Sequence, residues 1–497
     1  MTIHKKIQAV LAADPDANAI EFNGRWHRRR ELAAMVQSLD DTLSQSGLGR
    51  GARVGLISRN GPAQVAAYIA MLATGRCAAM IHPAQSAERI AAEVRPMNLA
   101  ALIGEDADWN EGLVEACRET GAIGLSLVRE HLGTANRVSA LPSRPAPTSA
   151  QIDPDVALEL LSSGTTGAPK RIRIRWSTVE QAVQDTAAAY ASGLQHVQPP
   201  PGLMFHPLGN IAGFSFITPL FAFGQPLAML EKFSLDPWLD LVRRHRPVRT
   251  SLPPAAIRMI LDRNIPKDDL SSFSAIGVGA AALDPELQEE FESRYGIPLL
   301  VGYGATEFGG VVANWTLDMH RQYGAVKRGS VGLPRPGVAF RVVDADSGAE
   351  LPCGTIGILE AKVDRIGPDW IRTTDLATLD TDGFLYLKGR ADGAINRGGF
   401  KVIPEAVAAV MRQHPKVGDA IVVGVPDKRL GAIPVAVVEP REGVTDLGSA
   451  ELEAFARQQL VAYQVPARFL VLDRLPRNAS MKASIPDIMA LLAGTTS

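Results

Sequence analysis

Ser162, Ser163, Gly164, Thr165, Thr166, Gly167, Ala168, Pro169 and Lys170 follow one another directly, so four hydroxyls, two glycines and a lysine share one short loop. The apolar run Val156-Ala157-Leu158 precedes it. Glycines let backbone N–H groups turn to one side, hydroxyls add donors and lysine adds a charge, which is what a loop needs to wrap phosphate oxygens. The order is not that of the P-loop, where the lysine directly follows a glycine and Ser or Thr comes next. Here Ala168-Pro169 separates Gly167 from Lys170, and Arg171 follows. The loop therefore reads as a phosphate cradle of another construction.

Four further groups carry chemistry. Gly302-Tyr303-Gly304-Ala305-Thr306-Glu307 follows the apolar run Leu299-Leu300-Val301. A strand ending in a Gly-rich turn is where α/β folds place ligands. Tyr303 offers a flat face, Thr306 a hydroxyl and Glu307 a hard oxygen suited to Mg²⁺. Trp370-Ile371-Arg372-Thr373-Thr374-Asp375 ends on a carboxylate able to accept from ribose hydroxyls. Gly389-Arg390-Ala391-Asp392 leads into Gly398-Gly399-Phe400-Lys401-Val402, and Leu475-Pro476-Arg477-Asn478-Ala479-Ser480-Met481-Lys482 lies near the C-terminal end. Taken singly, each is equally compatible with an ordinary turn, a buried tyrosine or a solvated lysine. Their order along one chain gives them weight.

These residues need a frame. Val54-Gly55-Leu56-Ile57, a helical pattern from Pro62 to Leu72 and Ala78-Ala79-Met80-Ile81 make a strand, a helix and a strand. Leu227 to Leu230 precedes a helical pattern at 237–244, and Ala275 to Val278 precedes another at 285–294. Repetition of this kind predicts parallel sheets covered by helices. From Gly329 to Leu387, Gly and Pro punctuate short β-branched runs, predicting antiparallel strands or a small barrel. The spacing then predicts a helix over 404–413, strands over 420–425 and 435–439, a helix over 449–460 and a strand over 468–472. The expected fold is α/β. A large N-terminal domain, 1–389, carries parallel and mixed sheets with helices and a small barrel-like part, and an α+β C-terminal domain covers 390–497.

Composition narrows the class. The 497 residues are 46% hydrophobic and 21% charged with a formal net charge of -2, which fits a soluble globular protein and gives no global field for nucleic acid or an anionic membrane. Arg28-Arg29-Arg30 and Arg243-Arg244-His245-Arg246 read as solvated faces. The three cysteines, Cys77, Cys117 and Cys353, are too scattered for a disulfide frame or zinc site and suit a reducing cytoplasm. No apolar run reaches the roughly 20 residues of a membrane span, and no signal-peptide pattern opens the sequence.

Together, and in this order, the motifs resemble those of the adenylate-forming superfamily: acyl- and aryl-CoA synthetases, peptide-synthetase adenylation domains and luciferase. The resemblance runs from about Val54 to Ile488 and looks closest to acyl-CoA synthetases. It is carried by Ser162 to Lys170, Tyr303-Gly304-Ala305-Thr306-Glu307, Gly329 to Gly337, His414-Pro415-Lys416-Val417, Val422 to Asp427 and Gly431 to Pro434. It implies two half-reactions. A carboxylate attacks the α-phosphate of MgATP, giving an acyl-adenylate and pyrophosphate. The thiol of CoA then takes the acyl group and releases AMP. The implied catalytic residues are Lys482, Thr306 and Glu307, with Glu307 also the Mg²⁺ ligand. The implied nucleotide-binding residues are Ser162, Ser163, Gly164, Thr165, Thr166, Gly167 and Lys170 for the β- and γ-phosphates, Gly279, Ala280, Ala281, Gly302, Tyr303 and Gly304 for adenine, and Asp375 and Arg390 for ribose. Asp392 is implied as the hinge of a mobile C-terminal domain, Gly398 and Gly399 as the thiol channel, and Asn210, Gly213, Phe214, Val278, Val311 and Ala313, beside Gly279 and Gly302, as the acyl pocket.

The sequence departs from the pattern in places. Thr374 stands where a glycine is usual, Ala406 where an acidic residue is usual, and Asn210 where a pocket histidine often sits. Asn478 and Met481 replace a threonine and a glycine before Lys482. The pocket set is apolar, which favours a fatty or aryl acid over an amino acid. Two alternatives stay open: an adenylase that loads a carrier protein, and a catalytically silent nucleotide-binding protein.

Overall fold

The computed structural model describes residues 2–494 apart from 84, 143–152, 162–169, 192–199, 398–399 and 428, with backbone alone at 187–191 and 401. Contacts between residues divide the chain into two compact units, Met1–Pro247 with Gly304–Gly310, and Val248–Tyr303 with Val311–Ser497. No helix among the described residues is long and apolar enough to cross a membrane.

The first unit is built on a seven-stranded sheet. Arg53–Ile57 pairs in parallel with Cys77–Ile81 on one side and Ala101–Glu105 on the other. Ile123–Leu127 and Val156–Leu161 extend it in parallel, and Asn136–Arg137 and Arg171–Arg175 close its edges antiparallel. The predicted strand–helix–strand is present, with its helix at Pro62–Thr74. That helix is almost wholly apolar and is buried from Pro62 to Ala73, its one amide, Gln64, donating to Glu105, so it forms part of the core rather than a cover. A second sheet orders Gly202–Met204, Leu227–Met229, Asn18–Phe22 and Arg25–Arg28. Cys77 and Cys117 are buried, and burial pushes both thiols up, the latter to about 12, so both act as core residues.

The second unit begins with a five-stranded sheet. Arg249–Leu252, Ala275–Val278 and Leu299–Ala305 lie parallel, followed by Gly310–Asn314 and Leu333–Pro334. Between them the helix Pro285–Tyr295 starts where the Asp284 side chain accepts from Glu286 N–H and stops at Gly296, whose φ of 70° ends it. The punctuated region forms an antiparallel four-stranded meander, Val338–Val343, Gly357–Val363, Trp370–Leu379 and Leu385–Arg390, with no pairing between its edge strands among the described residues. Beyond it come Ile395–Arg397, Phe400–Val402, the helix Pro404–Arg412, the long hairpin Val417–Asp427 and Gly431–Pro440, the helix Ser449–Gln459 and the strand Arg468–Val471. The last five match the spacing-based expectation to within a few residues. The two short strands and a final helix, Ile485–Gly494, are additional.

An ion network lies in the first unit's sheet, within the strand Val156–Leu161. Glu159 is buried, with the Nε and Nη2 of Arg53 at 3.1 and 2.8 Å and Arg173 at 3.4 Å. Replacing Arg53 leaves a buried carboxylate with one outlying partner. We expect Arg53→Met to lower unfolding free energy by about 3 kcal/mol, read as a lower urea midpoint at unchanged slope.

Candidate active site

In the second unit the site is assembled by strand register. Trp370–Leu379 and Leu385–Arg390 run antiparallel with Asp375 opposite Arg390. The partner of Leu376 is Gly389 and that of Ala377 is Leu387, so Lys388 is an extra residue, a bulge that re-aims the strand end. Thr373-Thr374-Asp375 is thus strand rather than the turn its composition suggests. Thr373 Oγ1 donates to the Leu359 carbonyl and accepts from Asp375 N–H, fixing the backbone on either side of the carboxylate.

Arg390 gathers this corner. Its Nε and Nη2 donate to the two oxygens of Asp392 at 3.0 and 2.8 Å, Nη2 also donates to the Thr374 hydroxyl, and Nη1 lies 3.8 Å from Asp375 Oδ1. The bonded Asp392 carboxylate, with Asp375 and Glu405 near, raises the Arg390 pKa against the effect of burial and holds the guanidinium charged. Tyr303, at the end of its strand, donates its hydroxyl to the other oxygen of Asp375. The strand runs on through Gly302, Tyr303 and Gly304 to Ala305, and the predicted turn comes one step later, as a helical turn over Thr306–Phe308. Thr374 was not singled out for function. Only the cross-strand register reveals that its hydroxyl has a use.

Gly389 joins the meander to the C-terminal strands. Its φ is 111°, and a Cβ there would lie 2.6 Å from Ile403 Cγ2 and 2.9 Å from Glu405 Oε2. Both the backbone conformation and the space exclude a side chain.

Lys482 lies on a closed hairpin in the same unit. Arg477 and Ala483 form an antiparallel bridge, Asn478 N–H donates to the Lys482 carbonyl at 2.8 Å, and Ser484 N–H donates to the Pro476 carbonyl at 2.8 Å. Asn478 Oδ1 accepts from Ser480 N–H and Lys482 N–H at 2.9 and 3.1 Å. The asparagine therefore organises the turn as an Asx acceptor. Met481, at the usual glycine position, has a φ of 62°. The left-handed backbone is retained without the residue that adopts it freely. The Lys482 ammonium is half-buried. Burial lowers its pKa below the ordinary lysine range, Arg390 pushes the same way and Asp375 opposes, so all three belong to one electrostatic neighbourhood.

The remaining predicted residues divide between the units. Gly279 and Gly302 lie close together, with a Cβ on Gly279 coming 3.7 Å from the Gly302 carbonyl. A Cβ on Gly302 would be 3.7 Å from both the Ala313 carbonyl and Val311 Cγ1. Ala280, with a φ of 70°, and Ala281 are exposed beside them, and Val278 and Ala313 are buried. In the first unit Thr306 is buried, Glu307 is exposed on its helical turn and Lys170 is exposed just before the strand Arg171–Arg175. Ser162, Ser163, Gly164, Thr165, Thr166 and Gly167, and also Gly398 and Gly399, lie outside the described residues. Asn210 precedes the helix Ile211–Ala222, on which Phe214 is buried. A Cβ on Gly213 would lie 2.3 Å from the Pro207 carbonyl, so close packing accounts for that glycine. The turn before this helix hangs on Asn60, which donates to the His206 and Leu230 carbonyls and accepts from Leu208 N–H. Burial pushes the His206 imidazole down to about 4, leaving it neutral. Gly304 is exposed at the strand end.

Residues 7–363 match the AMP-binding enzyme family, and residues 406–482 match the AMP-binding enzyme C-terminal domain. The chain belongs to the AMP-binding enzyme family. It is thus a member of the adenylate-forming superfamily, of the acyl-CoA synthetase-like branch, and an AMP-forming ligase. It is 31% identical over 350 residues to the 4-coumarate–CoA ligase-like 2 of Arabidopsis thaliana, a match covering 66% of this chain and 60% of that relative. With the "probable CoA ligase CCL9" of Humulus lupulus it shares 28% over 509 residues, 97% of this chain and 95% of that protein. In fold it is similar to ATP-bound MatB from Rhodopseudomonas palustris, with a TM-score of 0.80 at 23% identity over 99% of each chain.

Met481 gives a direct test of the hairpin geometry. A left-handed non-glycine residue costs about 1 kcal/mol, part of which a glycine returns as unfolded-state entropy. Met481→Gly is expected to raise stability by a few tenths to about 1 kcal/mol, seen as a higher urea midpoint. An alanine at 481 keeps the strain and should not.

Proposed function

We propose that this AMP-forming ligase activates a hydrophobic carboxylic acid, fatty or aryl, as its acyl-adenylate and passes the acyl group to the thiol of CoA. The observation that carries the reading is the neighbourhood of Lys482, Asp375, Arg390 and Tyr303: an ammonium from the C-terminal part beside a carboxylate–guanidinium pair and an aromatic ring. That set suits a nucleoside monophosphate about to accept a carboxylate. Asp375 accepts from the ribose hydroxyls, Arg390 and the Tyr303 hydroxyl orient it, and Tyr303 flanks the base with Gly279, Ala280, Ala281, Gly302 and Gly304. Lys482 donates to both the attacking carboxylate and the α-phosphate, and Thr306 donates to that phosphate.

The chemistry in the first step is an in-line displacement. A carboxylate oxygen forms the bond to phosphorus and pyrophosphate leaves with the electron pair of the broken P–O bond. Negative charge on the equatorial oxygens rises, so fixed cations and donors lower the barrier. Ser162 to Lys170 hold the departing phosphates. Glu307 fits Mg²⁺: its carboxylate is exposed, and such an ion is commonly bound through one or two carboxylates together with substrate phosphates. When bound, the ion adds charge neutralisation at the phosphates. In the second step the CoA sulfur attacks the acyl carbon, its proton goes to solvent or base, and AMP leaves.

The apolar character of the implied pocket set, in which Phe214, Val278 and Ala313 are each buried and no carboxylate stands ready for an amine, supports an acid without an amino group. The domains are 1–389 and 390–497, with Asp392 as the hinge that brings Gly398 and Gly399 to the thiol. The unpaired cysteines suit the cytoplasm.

Acid-dependent exchange of pyrophosphate into ATP, over octanoate, benzoate, 4-coumarate and amino acids and with and without CoA, tests the reading. Exchange with the hydrophobic acids alone and thioester with CoA are expected. No exchange with any acid overturns it. Lys482→Ala should lower exchange by roughly 10²-fold or more while thioester formation from supplied adenylate continues. Because Lys482 works protonated and its pKa is lowered, kcat/KM for ATP should fall on the alkaline side at a pH below that of an ordinary lysine. Lys482→Arg should carry that limb upward. Asp392→Pro, which also removes the carboxylate that seats Arg390, should slow thioester formation more than exchange, and equal loss of both steps would remove the hinge assignment.

A further inference from the structure

The strand register of the C-terminal sheet creates an unfavourable pair. Asp419 on Val417–Asp427 stands directly opposite Glu439 on Gly431–Pro440. Like charges facing each other across strands repel. Both carboxylates are partly buried, which strengthens the repulsion. Asp419 Oδ1 accepts from Arg412 Nε at 3.0 Å and from Ala420 N–H at 2.8 Å, and Glu439 Oε2 accepts from Leu475 N–H at 2.8 Å. The charge bridging the two is Arg477, whose Nη2 lies 2.6 Å from Asp419 Oδ2 and 3.3 Å from Glu439 Oε2.

The same guanidinium reaches into the lysine hairpin. Arg477 Nη1 donates to the Met481 carbonyl at 3.3 Å, one residue before Lys482, at the position held in left-handed conformation. An arginine is suited to this because its planar fork can serve two carboxylates and a carbonyl together, which a lysine ammonium does less well.

We propose that Arg477 is a positioning residue for Lys482: the Asp419–Glu439 pair seats its guanidinium, and the seated guanidinium holds the strained Met481 turn so that the C-terminal sheet and the lysine move as one rigid piece. The inference rests on the catalytic role proposed for Lys482. It adds that the lysine's place is set by a charge on the same hairpin that is tied to Asp419 and Glu439. The residue acts on the step Lys482 serves, adenylation, and not on the thiol step.

The test uses the full chain and whichever of octanoate, benzoate and 4-coumarate gives the strongest exchange. Arg477→Met is expected to reduce the kcat of pyrophosphate exchange roughly 10²-fold, the loss typical of a catalytic group displaced by about an ångström, with KM for ATP little changed and thioester formation from supplied adenylate retained. Arg477→Lys should recover part of the loss. Wild-type exchange in Arg477→Met, or equal loss of both half-reactions, overturns the proposal. Should Arg477→Met fail to fold, Glu439→Gln decides. It keeps an acceptor for Leu475 and weakens only the seat, so a smaller loss confined to exchange supports the proposal and unchanged exchange overturns it. Lys482→Ala run beside them separates the two levels. If that variant keeps exchange, the role of Lys482 itself falls. If it loses exchange while Arg477→Met keeps it, only the positioning role falls.

Discussion

The pairing of Trp370–Leu379 with Leu385–Arg390 is the constraint on which the site depends. A sheet admits no half measures in register, since a slip of one residue sends every side chain to the opposite face. With Asp375 opposite Arg390, one strand supplies the acceptor and the next supplies the charge that orients it. Thr374, Tyr303 and Asp392 then find partners without further adjustment. The Lys388 bulge and the open backbone at Gly389 let the chain leave this corner toward the C-terminal part. The place where the groups proposed to bind the nucleotide converge is thus also the place where the chain passes into its smaller part.

The lysine hairpin obeys a different economy. It contains a left-handed methionine and leans on two like charges set face to face, both of which raise its energy. Closely spaced interactions offset these costs: the Asn478 side chain accepting two N–H groups, the bridge between Arg477 and Ala483, and the guanidinium over Asp419 and Glu439. Local strain tolerated beside a reacting group, and offset in the surrounding structure, is a recurring way to fix its position. It also accounts for how this hairpin holds a left-handed backbone at Met481 without a glycine there.

Much of the frame was legible in the sequence. The helices at Pro62–Thr74 and Pro285–Tyr295 carry their own start and stop chemistry, and the alternation of strands and helices across 404–471 has the spacing of a compact α+β unit. Local composition misled at Thr373-Thr374-Asp375 and at Gly302-Tyr303-Gly304, both read as turns and both found in strands. Hydroxyls and glycines favour turns in isolation, but pairing with neighbouring strands overrides such weak preferences. The usefulness of Thr374, Asn478 and Arg477 was hidden because it depends on partners brought together by folding, 58 residues apart in the case of Arg477 and Asp419.

By itself the sequence determined which chemistry the protein carries. Motifs such as Ser162 to Lys170, Gly302 to Glu307 and the terminal Lys482 are runs of residue types whose donors, acceptors and charges suit a nucleotide wherever the fold puts them. The tertiary structure decided which of those groups face one another and what holds them there. Asp375 meets Arg390 because of register, Lys482 is half-buried beside them because the chain returns to that corner, and Arg477 is pinned because two strands oppose their carboxylates. Electrostatic interactions between groups depend on distance and burial, and residue type and order along the chain specify neither.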